Sequence, residues 1–326
     1  MANLQIPHTY LFFPAKLLLF GEYSIVTGGQ GLAIPLPDFG GILSSARTNV
    51  WRRSPEISSS NDMLRGFCEY LQNLQENNAL SCGFDLNKFQ TEVRQGLYFN
   101  STIPQGYGLG SSGALTAAVY KNYALNPFVC SNEGVEPVDF AMLRDVFAEM
   151  EAFFHGKSSG IDPLVSYLNF PLLIQSADRI AQISLSKVVR RNLSFFLYDT
   201  HQKRPSDSGL VPLFVNKMKQ PDFSLRCKEN LNRYNNHCIA ALLNNDESLL
   251  FENAVLLSEF QLNNFLEMIP VSMLPLWEKG LAGKRYVLKL CGAGGGGYVL
   301  GITPDFQGIV EELGRNNVKE IEIGGR

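Results

Sequence analysis

Residues 103–116 read Ile-Pro-Gln-Gly-Tyr-Gly-Leu-Gly-Ser-Ser-Gly-Ala-Leu-Thr, with glycines at 106, 108, 110 and 113 around two hydroxyls, Ser111 and Ser112. Glycine permits positive φ and lets an anion or another backbone approach closely. Good helix formers follow Ser112. A helix starting there points unpaired N–H groups, and roughly half a positive charge, back into the loop. Such a loop cradles anions, phosphate above all. Taken alone it reads equally well as a glycine-rich turn capped by serine. Lys16 stands between Pro14 and the apolar run at 17–20, either as a snorkelling edge residue or as a buried functional cation. Glu22 is the second charge of that dry segment. Further on, Glu151 and His155 are four apart and can share a helix face, whereas Glu149 and Glu151, two apart, cannot. The loop Gly156-Lys-Ser-Ser-Gly160 then delivers Asp162, which Pro163 pushes out of the α region. Asp162 can be a helix cap or a working carboxylate.

These groups sit in 326 residues, enough for two domains, of which 45% are apolar and 18% charged, a globular balance. Net charge is −3 from 28 basic and 31 acidic side chains, and no basic cluster exceeds pairs such as Arg52-Arg53 and Arg190-Arg191. Nucleic acid is therefore not an expected partner. Six cysteines without a CxxC pair read as reduced, mostly buried thiols of a cytoplasmic protein. The four histidines lack metal-ligand spacing, so zinc is not expected. Lys16 interrupts the first apolar stretch, which argues against a signal peptide, and no apolar run reaches membrane-spanning length.

The elements that must position these groups follow from pattern and punctuation. Strands are expected at 9–13, 31–36, 41–45, 84–87, 89–99, 179–185 and 193–199, with Pro14 breaking the first and a loop over 51–60. Helices are expected at 61–77 with Asn61 as cap, from Ser112 to about 123, and at 138–154, with a loop at 132–134 between the last two. From Pro212 the pattern turns helical, at about 227–244, 247–268 and 272–281. A hairpin of 286–290 and 298–302 bends at the glycines of 291–297, and a helix at 306–313 and a strand at 318–323 close the chain. Strands and helices mix without βαβ regularity, so the expected class is α+β. A soft boundary near 188–192 divides the chain into 1–190 and 191–326.

Three glycine-bearing segments, at 14–26, 103–116 and 290–298, stand in an order that resembles the GHMP kinase superfamily. The first resembles its P-x-K-x-x-L-x-G-E segment, the second its P-x-x-x-G-L-G-S-S loop and the third its G-A-G-G-G-G segment. Within the superfamily, Glu151-x-x-x-His155-Gly156-x-x-Ser159-Gly160-x-Asp162 resembles the corresponding stretch of the mevalonate kinases. Residues 200–206, with Arg204, resemble a substrate-side stretch that ends in Thr, where this chain has Ser206. The resemblance implies an N-terminal domain like ribosomal protein S5 domain 2, a ferredoxin-like C-terminal domain and an active site between them. It implies transfer of the γ-phosphoryl group of ATP to the 5-hydroxyl of mevalonate, in isoprenoid precursor synthesis. By matching positions it makes Asp162 the catalytic base and Lys16 a second catalytic residue, in contact with both Asp162 and the substrate hydroxyl. Mg²⁺ falls to Ser112 and Glu151. The ATP phosphates fall to Gly106, Gly108, Leu109, Gly110, Ser111, Ser112 and Gly113. The substrate falls to Glu22, Tyr23, Ser206, Gly294 and Gly295.

An alcohol is a poor nucleophile, so a placed carboxylate that takes its proton helps by about 10²–10⁴. A cation beside that hydroxyl favours alkoxide character, and donors on the transferring group neutralise its charge. Two departures bear on the acceptor. Many mevalonate kinases carry His where this chain has Tyr23, and the Gly-Glu-Tyr and Gly-Ser-Ser-Gly-Ala versions look more like phosphomevalonate kinase. Another GHMP small-molecule kinase, a related decarboxylase and a non-catalytic metabolite sensor on the same fold are the other readings. A sensor would be expected to lack the base or the metal ligand. No membrane partner is expected, and a homodimer is left open.

Overall fold

The computed structural model describes residues 11–45, 54–128, 140–176, 179–185, 192–205 and 208–323. The expected loop at 132–134, most of the boundary at 188–192, Cys130 and Ser206 lie outside them. Strands and helices mix throughout, so the class is α+β. The chain forms two compact units interleaved in sequence. One comprises Met1–Lys16, Leu36–Ile103 and Gly110–Asn169; the other comprises Leu17–Pro35, Pro104–Leu109 and Phe170–Arg326.

In the first unit lie the start of β1 (Phe13–Phe20), the end of β2 (Gly31–Ser45) and β3 (Leu97–Ser101). β3 pairs antiparallel with Gly41 to Ser45 of β2. Around them lie α1 (Pro55–Glu76), α2 (Leu86–Arg94), α3 (Ser111–Tyr123), α4 (Phe140–His155) and α5 (Ile161–Leu168). Pro14 does not break β1. The strand lies at one edge of its sheet, and an edge strand tolerates a residue without an N–H. The two strands expected at 31–36 and 41–45 are one. Pro35 and Pro37 fall between the stretch of β2 that pairs with β4 (Leu172–Ser176) and the stretch that pairs with β3.

Two other expectations are corrected. α1 starts at Pro55 rather than 61, because Ser54 accepts a hydrogen bond from the Ile57 N–H and proline suits the first helical position. Asn61 is not a cap; it is buried mid-helix, and its Nδ2 donates to the carbonyls of Val93 and Leu97. Residues 86–94 are helical rather than extended, since Asp85 caps Lys88 N–H and Leu86, Phe89 and Val93 bury one helical face.

The second unit holds β4, β5 (Arg179–Gln182) and a separate antiparallel sheet in the order β7-β8-β6-β9. Its strands are β6 (Ser194–Asp199), β7 (Val287–Leu290), β8 (Tyr298–Thr303) and β9 (Val318–Ile321). The expected hairpin is β7 and β8, and the expected last helix is α11 (Phe306–Leu313). Between β6 and β7 run α6 (Leu210–Lys217), α7 (Pro221–Arg226), a π turn (Cys227–Leu231), α8 (Asn232–Leu243), α9 (Glu247–Asn264) and α10 (Leu274–Gly283). Trp277 of α10 is fully buried and donates to Ser258 Oγ of α9 at 2.8 Å. Cys68, Cys82, Cys227, Cys238 and Cys291 form no disulfide, and burial raises the thiols of Cys68, Cys82 and Cys227 to about 11. Among the described residues no helix is long and apolar enough to cross a membrane.

Candidate active site

Lys16 lies in β1, where nearly every side chain is buried, and is itself 5% exposed. It is therefore a buried cation and not a snorkelling residue. Its Nζ lies 2.7 Å from Asp162 Oδ1. Asp162 stands in the first turn of α5, whose N-cap is Gly160, so it does not cap its own helix, and, contrary to expectation, the following proline does not keep it out of the helix. Pro163 fits there because an N–H in the first turn has no intrahelical partner.

The first turn of α3 lies directly against Asp162. Gly110 is the N-cap of α3, at φ 69°, and no side chain caps that helix. A Cβ on Gly110 would lie 3.0 Å from Asp162 Oδ2, and one on Gly113 only 2.7 Å from the Asp162 carbonyl carbon. The two glycines thus let α3 and α5 meet with no side chain between them. The arrangement leaves the first-turn N–H groups of α3 for an anion, beside a carboxylate held by a lysine. Ser111 and Ser112 are the first two residues of that helix.

Glu151 and His155 share one face of α4, and both reach Ser112. Ser112 Oγ donates to Glu151 Oε1 at 2.9 Å and lies 3.0 Å from His155 Nε2. Since the hydroxyl has one proton, His155 then acts as donor from Nε2. Glu149 points elsewhere: its carboxylate accepts from the backbone N–H and the hydroxyl of Ser81. Glu151 is 3% exposed, and burial first, then the charge of Asp162, pushes its carboxyl up to about 7. Hydroxyls of Ser158 and Ser112 and the Lys16 ammonium act in the opposite direction. Among the described residues no three His, Cys, Asp or Glu side chains cluster as a metal cage. A buried carboxylate beside a serine hydroxyl is nonetheless a hard oxygen pair, and Mg²⁺ binds through one or two such ligands together with substrate phosphates. The donor set fits that ion.

The remaining expected residues among those described belong to the second unit. Gly106, Gly108 and Leu109 end its 104–109 segment, and the chain passes into the first unit at Gly110. The Gly106 carbonyl accepts from Arg204 N–H at 3.2 Å, and Gly297 N–H donates to the Gln202 carbonyl at 2.6 Å, so this loop and the last glycine segment both bond residues 200–205. Gly295 N–H donates to the Met268 carbonyl at 2.7 Å, and a Cβ on Gly294 would meet that same oxygen. Glu22 is buried and ion-paired, with Oε2 2.7 Å from Lys289 Nζ and both side chains at most 5% exposed, while its Oε1 has no hydrogen-bond partner among the described residues. Tyr23 donates to the Ala293 carbonyl at 2.7 Å, packs on Phe214 and Phe265, and has φ 60°, rare for a large side chain. Burial raises its phenol far above the usual range, against the Arg204 guanidinium and with the Glu22 charge.

Two partners escape the sequence reading. Lys289 looks like one polar interruption of a strand, and its partner lies far off in sequence. Ser158, whose hydroxyl donates to Glu151 Oε2 at 2.5 Å, is one of two adjacent serines in a loop. The only available signal was its place in Gly156-Lys-Ser-Ser-Gly160.

Residues 65–169 match the GHMP kinases N terminal domain. The chain is 26% identical to a mevalonate kinase of Schizosaccharomyces pombe, over 96% of this chain and 89% of that protein. Its fold is similar to that of Lactococcus lactis galactokinase complexed with galactose, at TM-score 0.67 and 13% identity over 97% of this chain and 93% of that one. It is also similar to Streptococcus pneumoniae phosphomevalonate kinase in complex with phosphomevalonate and AMPPNP, at TM-score 0.60 and 15% identity over 95% and 97% of the two chains. The expected resemblance to the GHMP kinases, a phosphotransferase superfamily, and to mevalonate kinase within it, therefore holds.

Proposed function

We propose that this chain is an ATP-dependent kinase that phosphorylates a primary alcohol, and that the alcohol is the 5-hydroxyl of mevalonate. The observation that carries the reading is Asp162, ion-paired to Lys16 and abutting Gly110 and Gly113 at the uncapped start of α3. A base, a cation and a phosphate-binding helix end thereby meet around one carboxylate. Asp162 accepts the proton of the attacking hydroxyl, and Lys16 holds Asp162 in place and favours the alkoxide. The N–H groups of Ser111, Ser112 and Gly113 receive negative charge on the nucleotide phosphates. Ser112 and Glu151 hold Mg²⁺, which when bound neutralises charge on the transferring phosphoryl group. With base, cation and acidic ligand all present, the sensor reading has no support in the residues.

Mevalonate as acceptor rests on the spacing from Glu151 to Asp162, on the relative in Schizosaccharomyces pombe, and on the few basic side chains near the expected substrate residues, Lys203 and Arg204. A second phosphate on the acceptor would call for more. The second reading is phosphomevalonate kinase, favoured by Tyr23 after Gly21-Glu22. Purified protein with ATP and Mg²⁺ should release ADP on addition of mevalonate. Turnover with phosphomevalonate and none with mevalonate would establish the second reading, and turnover with neither would reject both.

A further inference from the structure

The loop between α4 and α5 carries Ser158, to which neither the motifs nor the mechanism gives work. Its hydroxyl donates to Glu151 Oε2 at 2.5 Å and accepts from Gly160 N–H at 3.0 Å. One proton and two lone pairs allow both bonds at once. The other oxygen of Glu151 accepts from Ser112, so each carboxylate oxygen has its own donor and the plane of the group is set. Gly160 in turn starts α5 at φ 71°, and a Cβ there would lie 2.1 Å from the Arg144 carbonyl oxygen of α4. The turn is therefore packed hard on the helix that carries Glu151. Its neighbour Ser159 does different work, accepting from Ile161 N–H at 3.4 Å on an exposed side.

We propose that Ser158 is a positioning residue for the metal-bound nucleotide. Through one hydroxyl it braces the Glu151 carboxylate against the turn that delivers Asp162, so that both acidic groups keep one spacing. A carboxylate buried among hydroxyls and lacking one of its donors would rotate, and an ion held through it would lose its ligand geometry. Loss of a partner that orients a metal ligand weakens metal affinity by about 10–100-fold. The inference rests on reading Glu151 as the carboxylate that faces Mg²⁺.

The test titrates the protein calorimetrically with ATP plus Mg²⁺, and separately with ATP in EDTA, for the wild type, Ser158→Ala, Ser158→Thr and Glu151→Gln. Ser158→Ala should weaken binding with Mg²⁺ by about 10-fold or more and leave metal-free ATP within about twofold. Ser158→Thr, which keeps the hydroxyl, should recover most of the loss. A Ser158→Ala protein that binds MgATP like the wild type overturns the proposal. So does one that loses both forms equally, because a loop held only for stability has no reason to discriminate them. If Glu151→Gln weakens MgATP and Ser158→Ala does not, Ser158 alone is misassigned. If Glu151→Gln binds MgATP normally, the reading of Glu151 fails.

Discussion

Replacing Glu151 by Gln keeps the shape of the side chain and removes a charge from a site only 3% exposed. The folded protein raises this carboxyl from 4.5 to about 7, mainly by burial and then by the charge of Asp162. Between those values the folded chain keeps a proton that the unfolded chain releases. Stability therefore falls as pH rises through that window, and the loss is complete above the folded value. At about 1.4 kcal/mol per unit the ligand-free protein gives up about 3 kcal/mol by pH 8 and about 1 kcal/mol by pH 5. The glutamine variant has no charge to bury and escapes the loss. Its amide can still accept from one serine and donate to the other. Urea unfolding followed by far-ultraviolet circular dichroism, at both pH values, measures the difference, and comparing the two proteins at equal pH cancels the other titrating groups. With a slope of about 1–3 kcal/mol per molar urea, the variant's midpoint at pH 8 should rise by about 1 M or more, and at pH 5 by roughly a third of that. The same variant should lose its Mg²⁺-dependent turnover, a stability gained at the expense of function. An equal shift at both pH values, or a variant less stable than the wild type at pH 8, would refute the reasoning.

Asp162→Asn should lower turnover by about 10²–10⁴ with nucleotide affinity retained, and unchanged turnover in an ADP-release assay would remove Asp162 as the base. Gly113→Ala adds a residue that favours helix by about 1 kcal/mol elsewhere. Here its Cβ would sit 2.7 Å from backbone of Asp162, so melting should show a net loss of about 1–3 kcal/mol together with lower turnover. A higher melting temperature would contradict the contact between α3 and α5. Lys289→Met leaves Glu22 buried without its cation and should cost about 3–5 kcal/mol in urea unfolding. Glu22→Met combined with Lys289→Met should recover much of that; a double variant as unstable as both single losses added together would mean the pair is not coupled.

The α+β class, α3 after the glycine loop, the hairpin of β7 and β8, and α11 were legible because their signals are local. The errors fell where a local signal has two meanings. A short stretch with a few spaced apolar residues, such as 86–94, suits a strand or a helix until the Asp85 cap and the buried face of Leu86, Phe89 and Val93 decide it. Proline reads as a break at Pro14 until the strand proves to be an edge strand, where the missing N–H is not needed. For Asp162, Lys16 and Glu151 the residue types and the interval from 151 to 162 pointed to chemistry, but each kept a plain structural alternative. Tertiary structure decided against a helix cap at Asp162 and a snorkelling position for Lys16, because burial and ion pairing depend on segments distant in sequence. It buried Lys16 on Asp162, joined Glu151 to Ser112, and turned Glu149 toward Ser81. It also paired Glu22 with Lys289, which had no sequence signal, and set Ser158 on Glu151, for which the glycine-serine loop was the only one. The sequence by itself determined which groups were available for the proposed phosphoryl transfer. Only the packing of α3, α4 and α5 around one carboxylate decided which of them meet, since a spacing along the chain sets reach and not contact.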